Sequence, residues 1–537
     1  MNNFSKNKIE VRQDSFLITE NMLFYILLFL NVLILFSNKY FVTLDGGSHN
    51  YNANIINQLL FNDKSYYHQF YELNKELLPN SFSYCLFIVF KKIFTFSCAE
   101  KALLLIHLVL TPILFRKIVQ VFNHESSYLS YAIFPFTHFS LLYMGFFNFT
   151  IGIVFCLLSI LIFLKFENKP NLRLAALFFL VLGLSYFSHI FTFTLSLIFF
   201  FTNSMVEFIV LLVLKKESIY KWLVSRIINL ILPASIFIFL TAEYFIKRPP
   251  LDTKTFLTTS EINWFFTNAG PLQAYGEDEN LYCKLIFVLI AVLGLSVAWL
   301  RISDFRKSGK LSVKNFFLKQ DVFLLLFFTL VYLSYTQPNE DGHGGYITDR
   351  FVLFAFFFVI LLIATHKINS KIGIPIITAI LVLHSILLFK KEKVQNRLNQ
   401  DMKDVISASH LIKPETVVLP IFNPGLSWQA KHFSNYIAAE KSVLVMENYE
   451  AETRYFPVIW QENNLPILKI DTLDNTHCLK WKSGKVSKVE YPADYIFIFD
   501  EEKNNKCLSI VTTLVNKHYD LAFSKNAVHL YQLRKRN

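Results

Sequence analysis

The polar stretch TLDGGSHN, directly after the first apolar run, carries a carboxylate and an imidazole four residues apart, Asp45 and His49. If the segment from about Ser48 to Leu60 is helical, Asp45 lies just before its N-terminus, where the positive end of the helix dipole favours the ionised form. An ionised carboxylate at the edge of a membrane can act as a general base. The alternative is that Asp45 caps the helix while Gly46 and Gly47 form a turn.

Other residues able to bind a substrate occur at the ends of apolar segments and in a glycine-rich loop. The predicted binding set is His49, Asn148, His189, Glu243, Glu340, Asp341, His343 and Arg350. Charged groups near membrane segments are costly and are usually retained for a purpose. Simpler interpretations stay open: packing for His189, ion pairing with Lys247 for Glu243, solvation for the loop acids and interfacial anchoring for Arg350.

Composition assigns the chain to the membrane class. Of its 537 residues, 53% are hydrophobic and 17% aromatic, and the 58 Phe exceed what a soluble core can use. The net charge is +12, but Lys and Arg fall in short clusters between apolar runs instead of forming one basic face. Orientation in a bilayer explains these clusters better than nucleic-acid binding does. We therefore expect a lipid bilayer, and no nucleic acid, as a partner.

The apolar runs predict an α-helical polytopic protein with about eleven membrane spans, each near the ~20 residues that a bilayer requires. The predicted spans are 22–38, 101–121, 127–143, 147–165, 172–188, 190–214, 226–246, 282–300, 320–336, 350–366 and 371–390. The stretch 81–98 is interrupted by Lys91 and Lys92, so we expect an interfacial or re-entrant helix there. The first run lacks a small-residue cleavage site, which predicts an uncleaved signal anchor.

The distribution of charge supports this count. With 81–98 excluded as a span, every loop on the N-terminal side contains Lys or Arg, as a cytoplasmic face does. This predicts a cytoplasmic N-terminus over 1–21 and a transmembrane domain over 22–390 with a long first outer loop over 39–100. It also predicts an extracytoplasmic domain over 391–537.

From about Lys391 the composition becomes that of a soluble α/β domain, large enough for its own core. The predicted strands are 416–421, 442–446 and 495–499, and the predicted helices are 426–439 and 503–517. His432 and the run Asn448 to Glu450 fall in connections or after strands, where binding residues occur, although turn and packing roles are commoner there. If this domain is outside the cytoplasm, Cys478 and Cys507 can pair.

The predicted architecture resembles the GT-C superfamily of membrane glycosyltransferases. The shared features are a single anchor, a long first outer loop with an acid near its start, interfacial helices in that loop, many further spans and an outer C-terminal domain. The runs TLDGGSHNYNA (43–53), FFNFTIG (146–152) and YFSH (186–189) are similar to uncharacterised bacterial members. The resemblance implies inverting sugar transfer from a polyprenyl-phosphate donor to a glycan, lipid or protein acceptor at a bacterial inner membrane. It also implies that Asp45 is the base. Better-known members, including protein O-mannosyltransferases, carry an Asp-Glu pair, whereas Gly46 follows Asp45 here.

The chemistry of such a donor matches the residue types. Its reactive carbon lies at headgroup level, so the enzyme needs a base, Asp45, and a cation for the departing phosphate, Arg350. His49 can orient the carboxylate or bind acceptor hydroxyls, and the loop carrying Glu340 and His343 contains glycines that permit the motion of a lid. No DxD motif or His-rich metal constellation occurs in the outer loops, so no cofactor is predicted and a divalent metal has no support in the sequence.

The rival prediction is a transporter or flippase of a lipid-linked or sugar substrate. It requires inverted repeats, broken helices and polar groups near the bilayer midplane. No convincing repeat is visible, and the polar residues gather at one face apart from His107, Asn229 and His384. A non-catalytic membrane scaffold explains the spans but leaves the one-sided clustering without a cause.

Overall fold

The computed structural model describes the chain with several gaps. The described residues are 19–168, 171–213, 219–247, 254–308, 318–342, 344–422, 428–453, 455–461, 468–473, 476–481, 493–499, 515 and 517–534. The chain forms two compact units: the helical unit is 1–37, 104–141 and 149–392, and the sheet unit is 38–103, 142–148 and 393–537. The predicted first outer loop, 39–100, therefore belongs to the same unit as most of the predicted C-terminal domain.

Long apolar helices make up most of the helical unit. Its helices are Thr19–Leu35, Leu172–Ser188, Ile190–Val213, Ile219–Arg226, Leu232–Ile246, Thr259–Thr267, Asn280–Ser308, Asp321–Thr336 and Ile347–Ala364. Four further described helices cross a unit boundary along the chain: Phe96–Phe122, Ser140–Tyr143, Phe147–Asn168 and Ser370–Ser409. Within the described residues, seven helices are long and apolar enough to cross a bilayer, and four apolar helices are shorter. A helix satisfies its own backbone polar groups in lipid, and this protein is accordingly a helical membrane protein.

The predicted span 127–143 is not one continuous helix. It consists of the 3₁₀ helix Ser127–Ile133 followed by the short helices Phe134–Thr137 and Ser140–Tyr143. Pro135 lies in the first turn of the second piece, where its missing backbone N–H is tolerated and a helix can restart. Residues 127–139 are all buried. Irregular backbone of this kind is tolerated at membrane depth where protein surrounds it.

The sheet unit contains helices from the first loop and strands from the C-terminal region. Its main described helices are Gly46–Phe61 and Phe82–Lys91, and a new helix begins at Phe96. The ten residues of Phe82–Lys91 are too few to span a bilayer, as predicted for 81–98. A strand of the first loop, Tyr71–Leu73, pairs antiparallel with Val458–Trp460.

A mixed five-stranded sheet forms the rest of this unit. Its strands, in spatial order, are Leu444–Val445, Val417–Phe422, Tyr495–Phe499, Val528–Leu533 and Tyr519–Lys525. The first three are parallel and the last two join antiparallel. The central strand is buried at every position, so side chains on both of its faces are shielded from solvent, which matches its apolar sequence. A separate hairpin pairs Leu468–Leu473 with Thr476–Trp481.

The strand predictions at 416–421 and 495–499 are confirmed, and the predicted strand 442–446 is reduced to two residues. In the predicted helical stretch 426–439, the described residues form two short 3₁₀ helices, Trp428–Ala430 and Phe433–Ala438, instead of one continuous helix. Most of the predicted helix 503–517, together with Cys507, lies outside the described residues.

A buried ion pair joins two helices of the helical unit. Both terminal nitrogens of Arg116 donate to the carboxylate of Glu20, and one of them also donates to Asn21 at 2.7 Å. The Tyr131 hydroxyl donates to Glu20 at 2.8 Å, and the guanidinium lies 4.6 Å from the ring centroid of Phe24. Both charged side chains are only 6% exposed. Removing either charge would leave the other buried without its partner.

We expect Glu20→Gln to lower the free energy of unfolding by about 3 to 5 kcal/mol, because it leaves the Arg116 charge uncompensated. Glu125→Gln is the matched control: Glu125 pairs with Lys367 at 2.7 Å, but the two side chains are 58% and 73% exposed. Loss of that pair costs at most about 1 kcal/mol. Denaturant unfolding in detergent micelles measures both, and equal effects would show that burial of the first pair has no energetic consequence.

Candidate active site around Asp45

The Asp45 side chain does not cap the helix that follows it. The helix Gly46–Phe61 begins directly after Asp45, as predicted, and its first two residues are the glycines. Asp45 has φ −91° and ψ 0°, and its carboxylate makes no capping hydrogen bond. The alternative of a capping Asp45 with a turn at Gly46 and Gly47 is therefore wrong. The carboxylate lies beside the positive helix end while remaining available to other groups.

A short backbone pairing holds Asp45 in place. The N–H groups of Leu44 and Asp45 donate to the carbonyls of Tyr143 and Met144, at 3.2 and 3.0 Å. Gly145 follows with φ +82°, a conformation that side-chain-bearing residues rarely adopt. A Cβ there would also lie 2.8 Å from Oγ1 of Thr43 and 3.1 Å from the N of Asp45. The contact therefore requires glycine at position 145.

The two glycines after Asp45 let a C-terminal segment approach the helix. A Cβ at Gly46 would collide with the side chains of Tyr436, Glu100 and Thr43. A Cβ at Gly47 would collide with the backbone carbonyl of His432, which cannot move as a flexible side chain can. The glycines thus bring the 432–438 segment against the helix N-terminus.

His432 and Tyr449, both from the C-terminal region, lie beside the Asp45 carboxylate. Nε2 of His432 is 3.8 Å from Oδ1 of Asp45. The Tyr449 hydroxyl helps to lower the pKa of Asp45, and the two rings of His432 and Tyr449 have centroids 4.8 Å apart. The Asp45 and His432 side chains are each 10% exposed, so both are largely buried without being sealed off.

Glu447 holds the other side of the imidazole. Its Oε1 is 2.5 Å from Nδ1 of His432, and its Oε2 accepts a hydrogen bond from the Ser434 hydroxyl at 3.0 Å. The imidazole of His432 therefore lies between two carboxylates, from Asp45 and Glu447. Such an arrangement fixes the ring and favours its charged form.

A second group lies deeper, around His49. Nδ1 of His49 is 2.8 Å from the Tyr84 hydroxyl, which is 2.6 Å from Oε2 of Glu450. Asn52 donates to the same Glu450 oxygen. The hydroxyl donates its one proton to Glu450, so the Nδ1–H of a neutral His49 donates to the hydroxyl oxygen. The Glu450 side chain is fully buried, which favours its neutral form.

Burial and neighbouring charges set the charge states of these groups. Burial raises the pKa of Asp45, while His432 and His49 oppose the rise. Burial lowers the pKa of His49 to about 4 and raises the pKa of Glu450 to about 7. Although burial disfavours a charge on His432, Glu447 and Asp45 outweigh it and raise its pKa. These shifts favour the charged form of His432 and leave His49 neutral at neutral pH.

Glu100 supports the backbone before the helix. Its carboxylate accepts hydrogen bonds from Thr43 at 3.0 Å, from Asn50 at 3.2 Å and from the Tyr436 hydroxyl at 3.1 Å. It thus links the residues on either side of Asp45 to the 432–438 segment and is itself only 2% exposed. We assign it a structural role.

Asn148 also lies in the sheet unit, where it supports a helix. Its Oδ1 accepts from the N–H of Ser83 at 3.0 Å and its Nδ2 donates to the carbonyl of Asn80 at 2.9 Å. These bonds hold the start of Phe82–Lys91. They use both ends of the Asn148 amide.

The other described members of the predicted binding set lie in the helical unit. His189 is buried against Phe149, and its Nδ1 accepts from the N–H of Phe191 at 3.1 Å. The Arg350 guanidinium lies 5.4 Å from the ring centroid of Phe149. Its position in the first turn of Ile347–Ala364 puts it next to the buried Asp349.

The remaining acids of the set are more exposed. Glu243 pairs with Lys247 at 2.9 Å, the ion pair considered as its simpler role. Glu340 joins an isolated bridge with Thr255 through its backbone, and Asp341 accepts from the N–H of Gly344 at 2.8 Å. His343 lies outside the described residues.

Sequence reasoning missed Glu447 and Tyr84 and gave His432, Tyr449 and Glu450 packing roles. One usable signal was present, because the run from Asn448 follows a parallel strand, Leu444–Val445, at the end where α/β proteins place binding residues. Nothing in the spacing of residues some 390 positions apart could have connected that run with Asp45.

No known protein family matches this sequence, and no curated protein is similar enough to count as a relative. The fold defines the class, a membrane-embedded helical protein. Within the described part of the chain, no three His, Cys, Asp or Glu side chains are arranged to hold a metal ion.

We expect Gly47→Ala to lower the free energy of unfolding by roughly 1 to 3 kcal/mol, because the new methyl group collides with backbone. Gly294→Ala is the control: its Cβ would meet nothing nearer than Ile363 at 3.9 Å. A helical Gly→Ala change in open space is neutral or stabilising. Thermal unfolding of the two variants measures the contrast, and an unaffected Gly47→Ala would contradict the close approach at the helix start.

The neutral state of Glu450 predicts a pH-dependent difference between wild type and Glu450→Gln. A raised carboxyl pKa adds stability below the unfolded value of about 4.5, and this is lost as the pH rises through about 7. The unfolding free energy of wild type minus that of the variant should therefore fall by roughly 3 kcal/mol between these pH values. A difference that stays flat over this range would contradict a neutral Glu450. Unfolding measured from pH 4.5 to 8 decides.

Proposed function

We propose that this protein is a membrane glycosyltransferase that moves a sugar from a polyprenyl-phosphate donor to an acceptor hydroxyl at the outer face. Asp45 is the general base and the sugar is inverted. The observation that carries the proposal is the position of the Asp45 carboxylate. It is held at a helix N-terminus, has no capping bond, is partly accessible and lies beside an imidazole clamped by a second carboxylate.

The reaction balances with one base. The acceptor oxygen attacks the anomeric carbon while Asp45 takes the hydroxyl proton, and the bond from that carbon to the phosphate oxygen breaks. The electron pair of that bond leaves with the polyprenyl phosphate. A carboxylate with a raised pKa is a stronger base than an exposed one, which suits the removal of a hydroxyl proton.

The roles of the other predicted groups are part of the proposal. Arg350, already partly buried on an aromatic ring, suits bidentate contacts to a phosphate. His189, Glu340 and Asp341 are proposed to contact the donor. His49 is proposed to orient the Asp45 carboxylate. The contacts of Asn148 and Glu243 with protein groups make them the weakest candidates.

We further propose eleven membrane crossings, with the N-terminus in the cytoplasm and the C-terminal region outside. The broken segment 127–143 counts as a crossing because it runs alongside the first helix, Thr19–Leu35. The Tyr131 hydroxyl lies 2.8 Å from the carbonyl oxygen of Glu20, and His138 contacts the carbonyl of Asn31 at 3.0 Å. Eleven residues of the first helix separate those two carbonyls, so the segment 127–143 extends about 16 Å along the axis of that helix between the two contacts.

A transporter or flippase is the second candidate, and one observation favours it. A buried polar network in the helical unit surrounds Asn31, whose side-chain oxygen contacts Nε2 of His384 at 2.9 Å. His138 contacts the same residue, and His107 contacts the carbonyl of Thr137 at 3.2 Å. Buried polar groups next to broken helices are typical of transporters. The partly accessible acid-base group around Asp45 has no role in that scheme.

We expect Asp45→Asn to reduce sugar transfer by at least about 10²-fold while the protein folds normally, since the amide cannot accept the proton. Asp520→Asn is the control, because Asp520 forms an exposed pair with Arg534. Mass spectrometry of surface glycans, from cells lacking the protein and from cells complemented with each variant, measures the outcome.

A glycan profile unchanged by loss of the protein would count against transfer. If Asp45→Asn restored the wild-type profile as fully as Asp520→Asn, the transporter would become the better candidate. Thermal unfolding of the purified variants excludes loss of folding as the cause of a defect.

A further inference from the structure

His432 is surrounded by titratable groups from both parts of the sheet unit. Asp45 and His49 face it from the first-loop helix. Glu447, Tyr449, Glu450 and Lys431 face it from the C-terminal region. The carboxylates closest to its ring nitrogens are those of Asp45 and Glu447, on opposite sides.

We propose that His432, clamped by Glu447, is the cation that keeps Asp45 ionised, and is thus a positioning residue of the site. The clamp is complete: Glu447 is held by Ser434, Nδ1 of the imidazole is held by Glu447, and the ring packs against Tyr449. Nε2 then faces Asp45.

The distance from Nε2 to Asp45 decides what His432 does. At 3.8 Å the two groups interact as charges but do not form a hydrogen bond. The Asp45 carboxylate therefore keeps lone pairs for a substrate hydroxyl. A direct hydrogen bond would occupy one of them.

The need for a cation follows from burial. Burial alone raises the pKa of Asp45, and a protonated carboxyl cannot act as a base. A cation within about 4 Å opposes that rise. Glu447 supports His432 in turn, because burial lowers the pKa of this imidazole and the Glu447 carboxylate raises it.

The same arrangement excludes His432 as the base. With carboxylates on both sides its charged form is favoured, and an imidazolium has no lone pair to accept a proton. Asp45 remains the acceptor.

Histidine titration tests the ion pair without any activity assay. The full chain, labelled with ¹³C at histidine Cε1 and purified in detergent micelles, is followed by NMR, with His432→Gln to assign the signal. We expect the His432 signal to titrate above the ordinary value of about 6.5. Asp45→Asn and Glu447→Gln should each lower its midpoint by about one pH unit or more, and Asp520→Asn should leave it unchanged. An unshifted midpoint in Asp45→Asn, or titration below the ordinary value in wild type, overturns the proposal.

The catalytic consequence rests on the proposed function. In His432→Gln the acid limb of turnover should move about 1 to 3 pH units upward, since Asp45 loses its cation, and activity should recover at alkaline pH. A merely structural role would lower turnover equally at every pH, and that result would overturn the positioning role. If wild type shows no sugar transfer, the proposed function fails while the histidine titration still decides the ion pair.

Discussion

The burial of the Asp45 carboxylate is the constraint on which the rest of the site depends. A charge removed from water must be stabilised by its surroundings or it takes up a proton. Three features stabilise this one: the N-terminus of Gly46–Phe61, the Tyr449 hydroxyl and the nearby His432. The glycines at 46 and 47 allow the segment carrying His432 to come close enough, and Glu100 bonds the side chains of Thr43 and Asn50 on either side of Asp45. Local backbone geometry thus serves one electrostatic requirement.

Depth separates two kinds of group around this carboxylate. Toward the surface, Glu447 retains 15% exposure, and His432 forms a charged chain with it and Asp45. Deeper, Glu450 is fully buried and its pKa is raised to about 7, while the pKa of His49 falls to about 4. Burial therefore favours the neutral forms of Glu450 and His49, which support the site through hydrogen bonds. Only the outer group retains both charge and access, and it is where proton transfer to a substrate is feasible.

The sequence predicted the features that depend on local pattern. Apolar runs located most of the long helices and the strands at 417–422 and 495–499. It failed where tertiary contacts override pattern: 127–143 is mostly apolar yet breaks near Pro135, because surrounding protein satisfies its backbone. Only the first-loop part of the site was predicted. Asp45 and His49 stood out by spacing, but their partners come from residues about 390 positions later, and no local rule records a contact between such distant segments.

The partners from the C-terminal region change what the Asp45 carboxylate can do. Without a cation, burial would leave a carboxyl that is protonated and inert. With a cation at hydrogen-bonding distance, the carboxylate would be ionised but weakly basic and partly occupied. His432 at 3.8 Å lies between these limits, since its charge acts over that distance while the oxygen lone pairs remain open. General bases work best when their pKa is near the working pH. Burial raises the pKa of Asp45 and a neighbouring positive charge lowers it, so the two effects have to balance. Glu447 sets that balance, because it determines how fully His432 is charged.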